Sequence, residues 1–185
     1  MKHIALTACT LLILAFASNA FAAEDKKPPP KPTKAVAVLE TSKGVIKFEL
    51  FEKDMPITTK NFIELADKKF YNGLTFHRLE PGFVIQGGNP EGTGRAGSAK
   101  TIKLEINQKA KWDSEGQVGM ARGDIPDSAT SQFFITLGNA FWLNPNPRNA
   151  GYALFGKVIA GMDVVKKLRV GDKMIKVYIS RVPVK

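Results

Sequence analysis

The sequence of 185 residues predicts a mainly β domain, an antiparallel barrel or sandwich, that also carries two α-helices. Three observations lead to this prediction. About eight short apolar runs are separated by Gly, Pro, Asn and Asp, which are typical turn residues. Only two stretches have the spacing of an amphipathic helix, and strands do not alternate regularly with helices as in a βαβ protein. Closure into a barrel would remove exposed strand edges.

The first 22 residues have the pattern of a cleaved export signal. Lys2 supplies a basic start, and residues 4–16 are mainly apolar. The segment closes with Ala20-Phe21-Ala22, a small-x-small cleavage motif. The apolar stretch is shorter than the roughly 20 residues that span a bilayer, so a retained anchor is the less favoured alternative. We therefore expect cleavage after Ala22, no membrane association afterwards, and delivery to the periplasm of a Gram-negative bacterium.

Residues 23–34 are expected to form a Pro/Lys-rich tether. Four Pro and four Lys lie between residues 24 and 34, and no large apolar side chain is present. Such a segment cannot bury a core, and it favours an extended, polyproline-like chain. The competing interpretations are a Pro-motif ligand or a contact with an acidic surface. The folded domain is expected to span residues 35–185.

The first elements of that domain are a hairpin and a helix. Apolar and polar residues alternate through residues 36–50 around a turn at residues 41–44, which predicts two paired strands. Asp54 is predicted to cap a helix that has Pro56 in its first turn and ends at Asn72.

The later elements are mostly strands. A second helix is predicted over Met162–Arg169, with Gly171 ending it. The remaining apolar runs, each predicted to be a strand, lie at residues 74–79, 83–86, 102–106, 117–120, 132–137, 153–159 and 174–182.

Composition excludes several kinds of site. With two His and one Cys, the chain can form neither a zinc site built from several such residues nor a disulfide within itself. The net charge is +10, but Lys and Arg are spread along the chain and often alternate with acidic residues. A solvated basic surface is therefore favoured over a nucleic-acid site.

Two catalytic or binding motifs are also disfavoured. Residues 92–97 satisfy the G-x-G-x-x-G pattern of a dinucleotide loop, yet β-rich residues 101–104 follow where a helix is required. A loop beside a binding groove is the favoured interpretation. No serine lies in a G-x-S-x-G elbow, so nucleophilic hydrolysis is disfavoured as well.

One segment carries the strongest functional signal. Residues 76–88 (FHRLEPGFVIQGG) place an arginine, aromatics and an amide on two strands joined by a Pro-Gly turn. Strand alternation predicts that Phe76 and Arg78 share one face, and that Val84 and Gln86 share another. The segment offers a fixed cation beside apolar surface with no acid, base or metal to accompany it. This suits electrostatic stabilisation of a neutral substrate; the alternative is an arginine that hydrogen-bonds the end of the barrel.

Further motifs in the same order give this segment a family context. Residues 131–136 (SQFFIT) and 155–158 (FGKV) follow it, and the three together resemble the cyclophilin family of peptidyl-prolyl isomerases over residues 35–182. The sequence around Met120-Ala121-Arg122 looks closer to the bacterial exported branch than to the eukaryotic cytosolic one.

The resemblance implies a fold, an activity and partners. The implied fold is a closed eight-stranded antiparallel barrel capped by two α-helices. The implied activity is cofactor-independent cis-trans isomerisation of X-Pro peptide bonds, which assists the folding of exported proteins. Pro-containing peptides and unfolded exported proteins are the expected partners, and neither a metal nor nucleic acid is expected. A monomer is expected, and a non-catalytic Pro-peptide-binding chaperone or interaction module is the alternative.

The resemblance also implies site residues. Arg78 falls on the catalytic arginine, Phe83 on a wall of the proline pocket, and Gln86 on the amide that steadies the arginine. The other positions that match the family's substrate groove are His77, Val84, Ala121, Arg122, Gln132, Phe134, Trp142, Leu143 and Tyr152. A tryptophan at the position of Trp142 usually accompanies cyclosporin binding in this family, so we expect cyclosporin to bind.

Four positions depart from the commonest family pattern. Val84 stands where Met is frequent, Arg122 where Asn is frequent, Tyr152 where His is frequent, and Asn89 where Asp is frequent. Val84 slightly enlarges the pocket, and Arg122 adds charge beside the peptide. These differences bear on peptide preference and inhibitor affinity rather than on the reaction.

Overall fold

A computed structural model describes residues 33–94, 97–98 and 100–184. The predicted signal segment and nearly all of the tether lie outside this part of the chain. The elements are β1 (Thr33–Thr41), β2 (Gly44–Leu50), α1 (Pro56–Asp67), β3 (Phe76–Glu80), β4 (Val84–Gly87), β5 (Gln117–Met120), β6 (Phe133–Thr136), β7 (Ala153–Ala160), α2 (Met162–Lys167) and β8 (Met174–Pro183). Within these ranges, neither helix is long and apolar enough to cross a bilayer.

The eight strands form one antiparallel sheet in the order β3-β4-β6-β5-β7-β2-β1-β8. This confirms the predicted mainly β fold with eight antiparallel strands and two helices. The prediction of full closure was overstated, because the edge strands β3 and β8 are not paired along their length. Instead, backbone hydrogen bonds between residues 73–76 and 171–174 join the two edges, including Phe76 N to Asp172 O at 2.9 Å and Met174 N to Leu74 O at 2.8 Å.

Several predicted elements differ from the structure. β1 begins at Thr33, two residues before the predicted domain start, because these residues pair with the end of β8. Residues 102–106 are not a strand: Ile102 forms one isolated bridge with Ala129. α1 ends at Asp67, where a series of turns replaces the predicted last helical turn. α2 likewise ends two residues early, at Lys167.

The prediction that Asp54 caps α1 was wrong. The N-cap residue is Met55, which makes no side-chain cap hydrogen bond. Glu105 supplies the cap from a distant loop: its carboxylate accepts hydrogen bonds from Ile57 N at 3.0 Å and from Thr58 N at 2.7 Å. A carboxylate at this end of the helix also interacts favourably with the helix dipole. Asp54 instead accepts a hydrogen bond from Lys109 Nζ at 2.6 Å.

The interior of the curled sheet is filled by aromatic rings. Phe62 of α1 lies at the centre, with its ring centroid 5.4 Å from Phe48, 5.5 Å from Phe133 and 5.6 Å from Phe155. Tyr71 stacks on Phe62 at 4.9 Å. Edge-to-face and stacked contacts of this kind add to the stabilisation that burial itself provides. One side chain of α1 therefore joins the helix to three strands.

A second apolar layer covers the outer face of the same strands. Along β6, Phe133 and Ile135 point into the interior while Phe134 points outward. Phe134 packs on Trp112 with ring centroids 5.3 Å apart. A Cβ atom at Gly119 would lie 2.4 Å from both rings, so only glycine permits this contact. The outer layer forms the floor of the groove described below.

Removing the distant cap should weaken α1. We expect Glu105→Ala to lower the free energy of unfolding by about 1–2 kcal/mol, because two N-terminal N–H groups lose their acceptor. Glu64→Ala is the matched control: this exposed carboxylate pairs with Lys60 at 3.9 Å and should change stability by less than about 0.5 kcal/mol. Urea denaturation measures both, and equal effects would contradict the assigned cap.

Candidate functional site

A groove with a volume of about 740 Å³ lies on the outer face of the sheet. Of the twelve predicted site residues, all but Gln132 line it. Gln132 lines an adjoining cavity of about 330 Å³, which shares Gln86, Gly94, Ala121 and Arg122 with the groove. The structure thus brings the predicted residues together, while their roles in the reaction stay predictions.

A β-bulge in β3 directs Arg78 into the groove. Phe76 is opposite Gly87 and Arg78 is opposite Gln86, so His77 is an extra residue between two consecutive pairs. The extra residue breaks the alternation of the strand. Phe76 consequently points into the interior core while Arg78 lines the groove. The prediction that these two side chains share a face was therefore wrong, because the sequence does not reveal the bulge.

A chain of side-chain hydrogen bonds holds Arg78. Its Nη1 donates to Gln86 Oε1 at 3.4 Å, and its Nε donates to Glu80 Oε1 at 3.4 Å. Gln86 Nε2 donates to Gln132 Oε1 at 2.9 Å, and Gln132 Nε2 donates to the carbonyl of Gly94 at 3.1 Å. The orientation of the guanidinium is thereby tied to the loop of Gly94, which lines both the groove and the adjoining cavity.

The prediction that no acid accompanies the cation was also wrong. Glu80 lines the groove and pairs with Arg78. Strand alternation could have identified it, since it lies two residues after Arg78. The other lining residues that sequence reasoning missed are Thr93, Gly94 and Asn149. The first two belong to the loop predicted to lie beside a groove, whereas no sequence signal marks Asn149.

Apolar side chains form the other side of the groove. Phe83 packs against Trp142 with ring centroids 5.2 Å apart, and Phe134 meets Tyr152 at 6.0 Å. Phe134 and Leu143 are almost fully buried, so they form a floor. Trp142 is 48% exposed and forms the rim. A ligand can place an apolar ring on this floor and direct the polar atoms next to that ring towards Arg78.

A second arginine is fixed at the edge of the groove. Arg122 donates from Nε to the carbonyl of Gly151 at 3.0 Å, from Nη1 to the carbonyl of Gly123 at 2.7 Å, and from Nη2 to Asn149 Oδ1 at 2.8 Å. Its guanidinium carbon is also 4.8 Å from the centroid of the Tyr152 ring, within the range of a cation–π contact. Two departures from the common family pattern, Arg122 and Tyr152, therefore contact each other.

The surroundings of His77 favour its neutral form. Burial lowers its pKa below the ordinary value of 6.5, the charge of Arg78 acts in the same direction, and the nearby Gln132 amide opposes the shift in part. Neither ring nitrogen has a hydrogen-bond partner in the described part of the chain. A protonated ring would bury a second unpaired donor beside a cation, which disfavours it.

The described residues include no group of three His, Cys, Asp or Glu side chains that could hold a metal ion. The groove instead combines apolar surface with a guanidinium whose orientation is held by neighbouring side chains. This arrangement can bind an uncharged apolar ring and direct hydrogen-bond donors at an atom beside it.

The fold is that of cyclophilin-type isomerases. The chain is similar to a crystal structure of a cyclophilin type peptidyl-prolyl cis-trans isomerase from Cryptosporidium parvum, with a TM-score of 0.73 and 30% identity over 82% of this chain and 100% of the other. A structure of that protein in the presence of the dipeptide Ala-Pro gives a TM-score of 0.66 at 31% identity, covering 81% of this chain and 99% of the other.

Residues 36–184 match the family model for "Cyclophilin type peptidyl-prolyl cis-trans isomerase/CLD". The chain belongs to the cyclophilin family and is a peptidyl-prolyl cis-trans isomerase. It is 45% identical over 131 residues to a peptidyl-prolyl cis-trans isomerase of Acinetobacter baylyi, covering 70% of this chain and 69% of the relative. It is 37% identical over 168 residues to peptidyl-prolyl cis-trans isomerase A of Dickeya dadantii, covering 90% of this chain and 84% of that protein.

The depressed pKa of His77 predicts a loss of stability in mild acid. As the pH falls through about 6.5, the unfolded chain binds the proton before the folded chain does, so the free energy of unfolding decreases until His77 itself is protonated. Urea denaturation at pH 7.5 and pH 5.5 should show this decrease. In His77→Gln the decrease should be smaller; an equal decrease in both proteins would contradict the assignment.

Proposed function

We propose that this isomerase accelerates rotation about X-Pro peptide bonds in exported proteins and so assists their folding. In this mechanism, Arg78 donates a hydrogen bond to the prolyl nitrogen in the twisted transition state. The observation that supports the proposal is the position of the guanidinium: Glu80 and Gln86 hold it at the edge of the apolar floor. Nη2 of Arg78 makes no hydrogen bond to the residues that the structure describes, so its donors are available to a ligand.

The barrier to this reaction is electronic. Rotation breaks the resonance of the amide, which gives a barrier of about 18–20 kcal/mol and isomerisation times of tens to hundreds of seconds. At the twisted geometry the prolyl nitrogen is no longer conjugated and becomes a better hydrogen-bond acceptor. A donor fixed beside that nitrogen binds the twisted state more tightly than either planar isomer, and this difference lowers the barrier.

The chemistry of Arg78 suits this role. The guanidinium is planar and always charged, so some of its N–H groups can be held by protein atoms while others face the substrate. The apolar floor under the proline ring excludes water that would compete for the cation. Because each tenfold in rate corresponds to about 1.4 kcal/mol, a large acceleration requires substrate positioning in addition to one hydrogen bond.

Pro-containing segments of unfolded chains are the proposed substrates. The groove is on the outer surface of the sheet and is bordered by the exposed ring of Trp142, so an extended chain can cross it without threading into the barrel. The relative solved with Ala-Pro provides a precedent within the family. Cyclosporin is proposed to compete for the same groove through contacts with Trp142.

Replacing Arg78 separates catalysis from binding. We expect Arg78→Ala to lower kcat/KM for a Pro peptide by about 100- to 1,000-fold, the usual effect of removing one transition-state donor. Arg78→Lys should recover only part of this loss. Cis/trans exchange measured by NMR gives the rates, and titration of Trp142 fluorescence gives the peptide affinity.

The control for these variants is Arg148→Ala, which removes an exposed guanidinium from a loop residue that does not line the groove. It should keep the full rate. If Arg78→Ala folds and retains its rate, the proposed role of Arg78 is wrong.

Export to the periplasm is a separate proposal that depends on residues 1–22. Expression of the full chain in a Gram-negative host should give a periplasmic protein whose first residue is Ala23. A chain lacking residues 2–22 should stay in the cytoplasm. Recovery of the uncleaved full chain in the membrane fraction would overturn the proposal in favour of a retained anchor.

A further inference from the structure

Glu80 is the one carboxylate among the described residues that line the groove. Its Oε1 accepts a hydrogen bond from Nε of Arg78 at 3.4 Å, and both side chains are about half exposed. An ion pair that is exposed to this degree contributes little to the stability of a protein. What the contact can change is the orientation of the guanidinium.

The backbone of Glu80 is fixed at the end of β3. Phe83 N donates to the carbonyl of Glu80 at 3.0 Å, which closes a Pro-Gly turn, and Glu80 pairs with Val84 across the hairpin. Leu79 packs against the interior core, so the regular alternation that follows the bulge places both Arg78 and Glu80 on the outer face. The carboxylate is therefore presented to the guanidinium by a rigid part of the sheet.

The guanidinium has two side-chain acceptors in different directions. Gln86 lies across the hairpin and accepts from Nη1 of Arg78 at 3.4 Å, whereas Glu80 lies two residues further along β3 and accepts from Nε. Both distances exceed the usual range of about 2.7–3.2 Å, so neither contact is strong by itself. With one acceptor, the planar group can turn about the axis of that single hydrogen bond. Two acceptors fix the plane, and with it the direction of Nη2.

From these contacts we infer that Glu80 is a positioning residue for the isomerase reaction: it fixes the plane of the Arg78 guanidinium so that Nη2 faces a ligand on the apolar floor. Glu80 acts through the arginine rather than on the substrate. Its hydrogen bond carries the effect more than its charge does, because water weakens the charge interaction of a half-exposed pair. The inference rests on the proposed function, since it assumes that Nη2 is the donor in the transition state.

Variants of Glu80 test this role. We expect Glu80→Ala to lower kcat for a Pro peptide about two- to fivefold, with the peptide affinity in a fluorescence titration unchanged within about twofold, because the partner of the arginine is lost while the apolar floor remains. Glu80→Gln keeps an acceptor oxygen on a side chain of the same length, so it should retain more of kcat than Glu80→Ala does. The matched control is Glu115→Ala: this half-exposed carboxylate pairs with Lys166 at 2.9 Å outside the groove, and its loss should leave kcat unchanged.

Two further measurements assign the effect to Arg78. In the Arg78→Ala background, Glu80→Ala should cause no additional loss of kcat, because the group through which Glu80 acts is already missing. Exchange of the Arg78 Nε–H with solvent, followed by NMR and identified by the loss of its signal in Arg78→Ala, should be faster in Glu80→Ala and unchanged in Glu115→Ala. Urea denaturation verifies that the variants fold, and Glu80→Ala should be about as stable as Glu115→Ala.

Three results would overturn the inference: an unchanged kcat in folded Glu80→Ala, the same loss of kcat in the Arg78→Ala background, or equal losses in Glu80→Gln and Glu80→Ala. Failure of the proposed function has a different signature, since Arg78→Ala itself would then keep its rate. In that event, the exchange rate of the Arg78 Nε–H still decides whether Glu80 holds the guanidinium.

Discussion

Burial of the strands β4, β5 and β6 on both faces is the constraint on which the rest of the structure depends. Their inward side chains meet the aromatic cluster around Phe62, and their outward side chains support the layer that contains Phe134 and Trp112. Most antiparallel sheets leave one face to solvent and alternate apolar with polar residues. Here the second apolar layer becomes the floor of a groove, so the packing that stabilises the sheet also forms the floor of the candidate site.

The polar half of the site depends on a local irregularity. If β3 were regular, Arg78 would share a face with the buried Phe76, and its charge would be directed into the core. The extra residue His77 moves it to the outer face, where Gln86 and Glu80 hold it. Bulges commonly redirect side chains next to active sites. The consequence is a cation placed beside apolar surface without being buried under it.

The groove also contains polar atoms that have no hydrogen-bond partner among the described residues. Both ring nitrogens of His77 are buried without a hydrogen-bond partner among the described residues. Among the described residues, the hydrogen-bond partners of Arg122 are all neutral, whereas Arg78 has a carboxylate partner. An unpaired buried polar ring is rare in protein interiors and lowers stability, so the place of His77 in the wall of the groove is consistent with a surface arranged to bind a ligand.

The sequence by itself determined the fold class, the family and most of the groove residues, because the apolar runs and three ordered motifs lie in local stretches of chain. Glu80 could have been added from strand alternation alone. Tertiary structure alone decided the direction of Arg78, the capping of α1 by Glu105, and the junction of Arg122 with Tyr152 and Asn149. Each of these depends on a register shift or on a contact between residues far apart in sequence. Local propensity carries no information about such contacts, since their energies arise only when the strands and loops have been brought together.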